Sequence, residues 1–416
     1  SLFASRVGAV ALPKWYAITA VCSLGLISFY LVYATRMDSG RLFGLILGGV
    51  IAAWAAAWVG QRFVPGPWPL GLLFVSREIA LTMVLMHFGT FLQDYFLRSE
   101  LNQILPVIYA GGRVGGIVAG AMVTSLAGPL GTANLLLVSI SLVVVAWLSI
   151  QWIGSHIQHD NEEPVAHEAA SGANITTKSP VEPQRLRQRV TRFMIQVLNV
   201  PLLRWLTLTT LCFVACRWWL VYQYTAAFES GFADEDALAK YLGMYTQIAL
   251  GLSLCLQLFL VVRLVMWQGV ARTNWLYSCL VGCALLGNVF LTGIPMATFS
   301  RFIESELRFG LRNPVNQMLV NRFDKKMRIA VRGWSMGWLI PIGTLLVSAT
   351  ISSLLYFDQQ ELIPWVGVFV GIAYLVTAWN LGPAYQRFDS QDEKPTGPPG
   401  TDRATLPVDK PGDYSR

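Results

Sequence analysis

Charged side chains within apolar stretches are the residues of this chain best placed to bind a solute. One stretch carries Arg301, Glu304, Glu306, Arg308 and Arg312. Glu304, Arg308 and Arg312 are four residues apart, so a helix places them on one face, where Glu304 can pair with Arg308 and Arg312 is left without an equal partner. The planar guanidinium fork of arginine binds carboxylates and phosphates through two parallel hydrogen bonds, which predicts an anion-binding surface. The alternative is an internal network in which these charges neutralise one another.

A second candidate site surrounds Arg217, within a stretch rich in aromatic residues. The nearby aromatic side chains are Trp218, Trp219, Tyr222 and Tyr224. Arginine beside aromatic faces can clamp a planar or anionic ligand by stacking and hydrogen bonding, so Arg217 and Tyr222 join the binding candidates. In the alternative interpretation, Arg217 extends to the lipid headgroups and the aromatic residues form an interfacial belt.

Three further residues are candidates for gating or proton coupling. His87 lies in the middle of an apolar stretch, and imidazole changes charge near physiological pH. Asp94 ends that stretch and Arg113 begins the next one, so we expect both at a cytoplasmic gate. A buried histidine that only packs against its neighbours is the alternative for His87.

The elements that position these residues are predicted to be membrane helices. The chain is 54% hydrophobic and 13% charged. A spanning helix needs about 20 mostly apolar residues, and open sheets cannot be satisfied in lipid. Eleven stretches qualify: 13–35, 43–60, 69–95, 104–126, 131–153, 201–228, 239–262, 274–296, 299–321, 330–356 and 364–383. The predicted fold class is an all-α polytopic membrane protein.

Basic residues concentrate in alternate connections between these stretches. The basic set comprises residues 36–41, 98–100, 154–200, 263–272, 322–328 and the tail from Arg387. The other set is poor in Lys and Arg, and it includes Asp234, Glu235 and Asp236. Since basic loops remain in the cytoplasm, we predict that the central loop and the C-terminus are cytoplasmic in a multi-pass protein of a bacterial inner membrane.

The order of these segments predicts two helical bundles. Residues 1–154 form an N-terminal bundle that lacks its first helix, and residues 201–388 form a C-terminal bundle. Residues 155–200 form a cytoplasmic linker containing a basic amphipathic helix, and 389–416 form a disordered tail. Two six-helix halves with a long connection are typical of the major facilitator architecture. The alternative is a true eleven-helix protein with its N-terminus outside.

Composition and motifs argue against several other classes of protein. The net charge of +7 is explained by basic loops near lipid, and no nucleic-acid-binding motif accompanies it. The six cysteines lie in apolar stretches, where they are expected to pack as small residues rather than bind zinc. We therefore predict no cofactor, no metal, no nucleic-acid partner and no enzyme activity.

Three stretches of the sequence resemble the ATP/ADP antiporter-like nucleotide transporters, a branch of the major facilitator superfamily. They are Leu105–Gly116 with Asn134–Leu136, Tyr222–Leu264 in several short segments, and Leu311–Gly343 in several more. The resemblance implies a twelve-helix fold and nucleotide exchange. One departure is Val221, where the family usually has an acidic residue before its Tyr-Gln pair.

Together these observations predict a secondary active transporter. It would move a small anionic solute, with a nucleotide as a candidate, across the lipid bilayer by alternating access. The alternative hypothesis is a non-transporting membrane module that anchors or assembles a protein partner. The absence of an acidic residue at Val221 motivates this second hypothesis, as does mutual neutralisation of the internal charges.

Overall fold

Helices account for nearly all of the chain that the computed structural model describes, namely residues 2–33, 37–95, 98–156, 197, 199–323 and 325–392. Most of the predicted linker and tail lies outside these residues. The N-terminal helices are α1 (Leu2–Arg6), α2 (Leu12–Tyr33), α3 (Ser39–Phe63), α4 (Trp68–Tyr95), α5 (Arg98–Leu130) and α6 (Leu135–His156). A 3₁₀ turn, Ala9–Ala11, separates α1 from α2.

The C-terminal helices include three π-helical segments. They are α7 (Pro201–Gly231), α8 (Glu235–Cys255), π1 (Leu256–Val261), α9 (Val262–Phe290), α10 (Ile294–Arg301), π2 (Phe302–Arg312), α11 (Asn313–Asn321), α12 (Lys325–Trp334), π3 (Ser335–Leu339), α13 (Ile340–Tyr356) and α14 (Leu362–Asp392). π-Helices are rare in proteins, and those that occur are often at functional sites. The position of π2 within the charged stretch therefore marks that stretch as a candidate site.

Ten helical segments of the described chain are long and apolar enough to cross a membrane. The remaining predicted span, 299–321, is helical and falls within α10, π2 and α11. It is not among those ten segments, because its five charged side chains lower its hydropathy. The prediction of eleven helices therefore holds for helix formation, and apolar composition alone identifies ten spans.

Two predicted boundaries around α9 are wrong. The loop predicted at 263–272 is helical, and it is interrupted at Gly269, whose φ is 79°. The span predicted at 274–296 ends at Phe290, and the next helix begins at Ile294 after Gly293, whose φ is 113°. Glycine tolerates positive φ without a steric penalty, so each of these glycines breaks the regular helix.

We refer to the N-terminal helices α1–α6 and the C-terminal helices α7–α14 as the two bundles; they contact each other through the helix pairs α5 with α8 and α2 with α13. Gly120 and Gly243 allow the first pair to approach closely, since a Cβ on Gly120 would lie 2.9 Å from the Gly243 carbonyl oxygen. A hydrogen bond of 3.0 Å from Gln247 Nε2 to Thr124 Oγ1 lies beside this contact. Small residues of this kind are typical of tightly packed membrane helices.

Candidate solute-binding site

Arg217 lies midway along α7 between two carboxylates. Its Nη2 donates to Glu78 Oε2 at 2.9 Å, and its Nε donates to Glu304 Oε1 at 3.0 Å. The exposed fractions of the three side chains are 13%, 10% and 5%, respectively. Glu78 belongs to α4 and Glu304 to π2, so this arginine links the N-terminal bundle to the C-terminal bundle.

Further charged and polar groups surround the two carboxylates. Arg77 Nη1 lies 3.0 Å from Glu78 Oε1, although the Arg77 side chain is 62% exposed. Arg308 Nη2 lies 3.6 Å from Glu304 Oε1, and the Tyr224 hydroxyl donates to Glu304 Oε2 at 3.4 Å. We refer to Glu78, Arg217, Glu304 and Arg308 as the central ionic cluster.

Aromatic rings cover one side of this cluster. The Arg217 guanidinium carbon lies 4.4 Å from the ring centroid of Trp218, which lies 4.4 Å from that of Tyr16. The Tyr16 hydroxyl is buried and has no hydrogen-bond partner among the described residues. The stack keeps Arg217 in place by cation–π attraction and leaves one hydroxyl available nearby.

Arg312 is buried without a described counter-ion. Only 7% of the residue is exposed, and its guanidinium carbon lies 3.3 Å from the ring centroid of Phe213 on α7. Within the described residues, it makes no ion pair with a carboxylate, and its Nε has no hydrogen-bond acceptor. Arg308 Nε likewise lacks an acceptor. Both arginines therefore have unused hydrogen-bonding capacity in a desolvated environment.

The charges of this region do not cancel. Arg217, Arg308 and Arg312 are opposed by Glu78 and Glu304, which leaves an excess of positive charge even without the exposed Arg77. An isolated buried charge is strongly unfavourable. An anion bound beside Arg308 and Arg312 would remove that imbalance.

A second ionic contact joins the bundles through Arg113 of α5. Its Nη1 donates to Ser253 Oγ of α8 at 2.7 Å and lies 3.8 Å from Glu306 Oε2 of π2. Glu306 Oε1 also accepts a hydrogen bond of 2.6 Å from Ser305 Oγ. Arg113, predicted as a gating residue, thus lies at a contact that must change if the bundles move apart.

The structure places the other predicted residues away from the central ionic cluster. His87 is buried within the N-terminal bundle, where Nδ1 lies 3.0 Å from the Tyr30 hydroxyl and Nε2 lies 2.8 Å from the Ser39 carbonyl oxygen. The side chain of Asp94 lies outside the described part of the chain.

Tyr222 is buried, and it points away from Arg217 on α7, because five residues at about 100° each rotate the two side chains about 140° apart. Tyr224 is within about 20° of the Arg217 direction by the same geometry.

Hydrogen bonds also join the bundles at the end of the molecule that carries Asp234, Glu235 and Asp236. Arg6 Nε lies 2.6 Å from Glu235 Oε2. The Ala9 amide donates to Glu229 Oε2 at 2.6 Å, and the Thr132 amide donates to Asp236 Oδ1 at 2.9 Å. We call these three contacts the acidic-end latch; they hold this end of the two bundles together.

Two cavities among the described residues lie away from the central ionic cluster. An apolar groove of about 370 Å³ lies between α8 and α10 and includes Met244, Ile248 and Phe299. A cavity of about 510 Å³ lies beside Arg6 and the 64–67 turn.

The fold matches that of a solved nucleoside transporter, NupG. The TM-score is 0.56 at 15% sequence identity, over 93% of this chain and 90% of that chain. No protein-family model and no curated protein matches the sequence. The chain accordingly has the all-α polytopic membrane fold of this solved structure.

Proposed function

We propose that the protein is a secondary active transporter of an anionic solute that works by alternating access. Arg217, Arg308 and Arg312 bind the negatively charged group, and Glu304 orients the first two arginines. Tyr224 takes the role predicted for Tyr222, because its hydroxyl contacts Glu304. In this fold the substrate binds between the two halves near the middle of the membrane.

The observation that carries this proposal is the excess of buried arginine over carboxylate. Arg312 is 7% exposed and stacks on Phe213, and its positive charge has no described counter-ion. Arginine is suited to phosphate and carboxylate groups because its planar fork donates two hydrogen bonds at once. An anionic solute would satisfy the donors that Arg308 and Arg312 leave unused.

The contacts between the bundles suit a rocking movement. The Glu78–Arg217 pair, the Arg113–Glu306 pair and the acidic-end latch each join groups from opposite bundles. Polar contacts of this kind can be exchanged for water or solute without exposing a large apolar surface. The close α5–α8 packing around Gly120 provides a contact about which the bundles can pivot.

Nucleotides are the first candidates for the solute. The sequence resemblance favours them, and the solved structure with this fold is that of a nucleoside transporter. Trp218 contacts Arg217 and Tyr224 contacts Glu304, so both supply aromatic surface near a bound planar base. A neutral nucleoside would leave the charge of Arg312 uncompensated, so we favour the phosphorylated form.

Uptake into proteoliposomes tests the proposal. The panel should contain labelled ATP, ADP, adenosine and a dicarboxylate, each with and without the same solute inside the vesicle. Arg312→Lys keeps the charge but removes the fork, so it should reduce uptake of the transported anion about tenfold, the effect of about 1.4 kcal/mol in binding. Arg263→Lys, at an exposed arginine of α9, is the matched control and should transport normally. Failure of wild type to move any anion in the panel would contradict the proposal.

A second candidate function is a membrane module that holds a protein partner and transports nothing. It is favoured by the internal pairing of Arg217 with Glu78 and Glu304, which a purely structural network would also show. Two results together would favour this module over a transporter. A protein partner would copurify in equal amount from native membranes, and the Arg308→Ala/Arg312→Ala variant would bind it as well as wild type does.

A further inference from the structure

Glu78 occupies the guanidinium that an incoming anion would need. Its Oε2 accepts the Arg217 Nη2–H at 2.9 Å, in the manner of a ligand carboxylate. Glu78 lies on α4, whereas Arg217 lies on α7 of the opposite bundle. The side chain is therefore an internal competitor for the proposed solute, and it must leave Arg217 whenever the bundles separate there.

We propose that Glu78 couples proton uptake to anion binding. The inference rests on the proposed function and adds the coupling ion. The hydrogen bond from Arg217 Nη2–H to Glu78 Oε2 breaks, and an oxygen of the solute accepts the same N–H. A proton from water then binds the released Oε2. The proton offsets one negative charge of the solute, so a dianion such as sulfate and one proton together remove the single excess positive charge of Arg217, Arg308 and Arg312 over Glu78 and Glu304.

The surroundings of Glu78 explain why it would gain a proton after its release. The groups facing it are Arg77 on its own helix, Arg217 on α7, Tyr16 on α2, and Glu304 and Arg308 on π2. Arg217 makes the buried ion pair, while Arg77 is 62% exposed. A buried carboxylate that loses its buried cation is stabilised by neutralisation. The unpartnered Tyr16 hydroxyl can then hydrogen-bond the neutral carboxyl group.

Glu304, the other carboxylate on Arg217, is less suited to this role. It belongs to the same bundle as Arg217, so it can remain paired when the bundles move. It is also held by Arg308 at 3.6 Å and by the Tyr224 hydroxyl at 3.4 Å. Loss of one cation therefore leaves Glu304 with partners in its own bundle, whereas Glu78 keeps only the exposed Arg77.

Calorimetry of anion binding can count the protons directly. The probes are ADP and sulfate, added at a mildly alkaline pH at which both are already ionised, in buffers with different enthalpies of ionisation. We expect wild type to take up about one proton for each anion bound and its Kd to rise up to about tenfold per pH unit. Glu78→Gln should bind more tightly, with no proton uptake and little dependence on pH. Glu306→Gln is the matched control, because Glu306 is also buried and pairs with an arginine of the other bundle. This variant should still take up about one proton for each anion bound.

The outcomes separate the two proposals. Binding to wild type without proton uptake, or uptake that persists in Glu78→Gln, overturns the role of Glu78 but leaves anion binding intact. Binding to Glu78→Gln alone supports internal competition. Absence of binding to both proteins overturns both proposals. If Glu78→Gln cannot be purified in a folded state, Glu78→Asp replaces it in the test. The shorter aspartate side chain should compete less for Arg217, so this variant should bind the anion more tightly and still take up a proton. An unchanged Kd for Glu78→Asp would count against the inference.

Discussion

Gly243 of α8 faces Thr124 of α5 so closely that a Cβ on the glycine would lie 2.6 Å from Thr124 Oγ1. The same Cβ would lie 2.9 Å from the Gly120 carbonyl oxygen. Backbone atoms cannot rotate away as a flexible side chain can. The contact therefore sets how closely the two bundles approach at this pair of helices.

Replacement of Gly243 by alanine should force α5 and α8 apart. Overpacking of this kind costs about 1–3 kcal/mol, so the melting temperature in detergent should fall. Gly251→Ala is the matched control on the same helix, since nothing lies within 4 Å of its Cβ position. Alanine there should be neutral or stabilising by up to about 1 kcal/mol. Equal melting temperatures for the two variants would show that the close contact does not determine stability.

Gly8 supports the acidic-end latch in a different way. Its φ of 82° and ψ of 162° are strongly unfavourable for other residues, at a cost of about 1–3 kcal/mol. A Cβ would also lie 2.7 Å from Glu229 Oε1 and disturb the bond from the Ala9 amide to Glu229. Gly8→Ala should therefore be less stable than Gly66→Ala, because Gly66 has a φ of 101° but open space around it.

Differential scanning of both glycine variants measures this difference. Loss of a hydrogen bond to a charged group costs about 1.5–3 kcal/mol, which is the extra destabilisation expected for Gly8→Ala. Adding Glu229→Ala to Gly8→Ala should cause little further loss, since the latch contact is already broken. A further loss as large as that of Glu229→Ala alone would show that the two residues act independently.

Much of the fold follows from local features of the sequence. Apolar length predicted the helices, and the four-residue spacing predicted the contact between Glu304 and Arg308, which is present at 3.6 Å. The same pattern predicted that Arg312 lacks an equal partner. Glycines at positive φ determine the boundaries that were wrong, because Gly269 and Gly293 occur within or next to apolar stretches whose hydropathy gives no sign of their conformation.

The partner of Arg217 could not be predicted from local spacing. Glu78 is separated from Arg217 by 139 positions, and the two residues meet only because α4 and α7 pack against each other across the bundles. The available signal was a carboxylate within the apolar stretch 69–95, where Glu78 follows Arg77. The π-helical form of residues 302–312 was likewise not predicted, since the four-residue spacing of Glu304, Arg308 and Arg312 indicates a shared helix face but not the type of helix.

Orientation in the membrane remains a prediction from the basic loops, and cysteine labelling tests it. Ser171→Cys and Ala233→Cys should be introduced singly into a protein whose native cysteines are replaced. A membrane-impermeant maleimide should label Ala233→Cys in intact cells and Ser171→Cys only in inverted vesicles, because Lys and Arg favour the cytoplasmic side. Labelling of both variants from the same side would contradict the predicted topology.

Removal of Arg217 should destabilise the protein far more than removal of Arg308. Arg217→Ala leaves Glu78 and Glu304 buried without their principal cation, and breaking a buried pair in this way costs about 3–5 kcal/mol. Arg308→Ala leaves Glu304 bonded to Arg217 at 3.0 Å, and the Arg308 contact with Glu304 is long at 3.6 Å, so we expect a loss of about 0.5–1.5 kcal/mol, as for one ordinary hydrogen bond. Arg308→Lys should preserve stability but weaken anion binding, since lysine lacks the planar fork of arginine.

Thermal unfolding in detergent and binding of ADP, measured for Arg217→Ala, Arg308→Ala and Arg308→Lys together, test these expectations. Equal destabilisation by Arg217→Ala and Arg308→Ala would show that Arg217 does not organise the cluster, and full binding by Arg308→Lys would show that Arg308 acts only as a counter-charge.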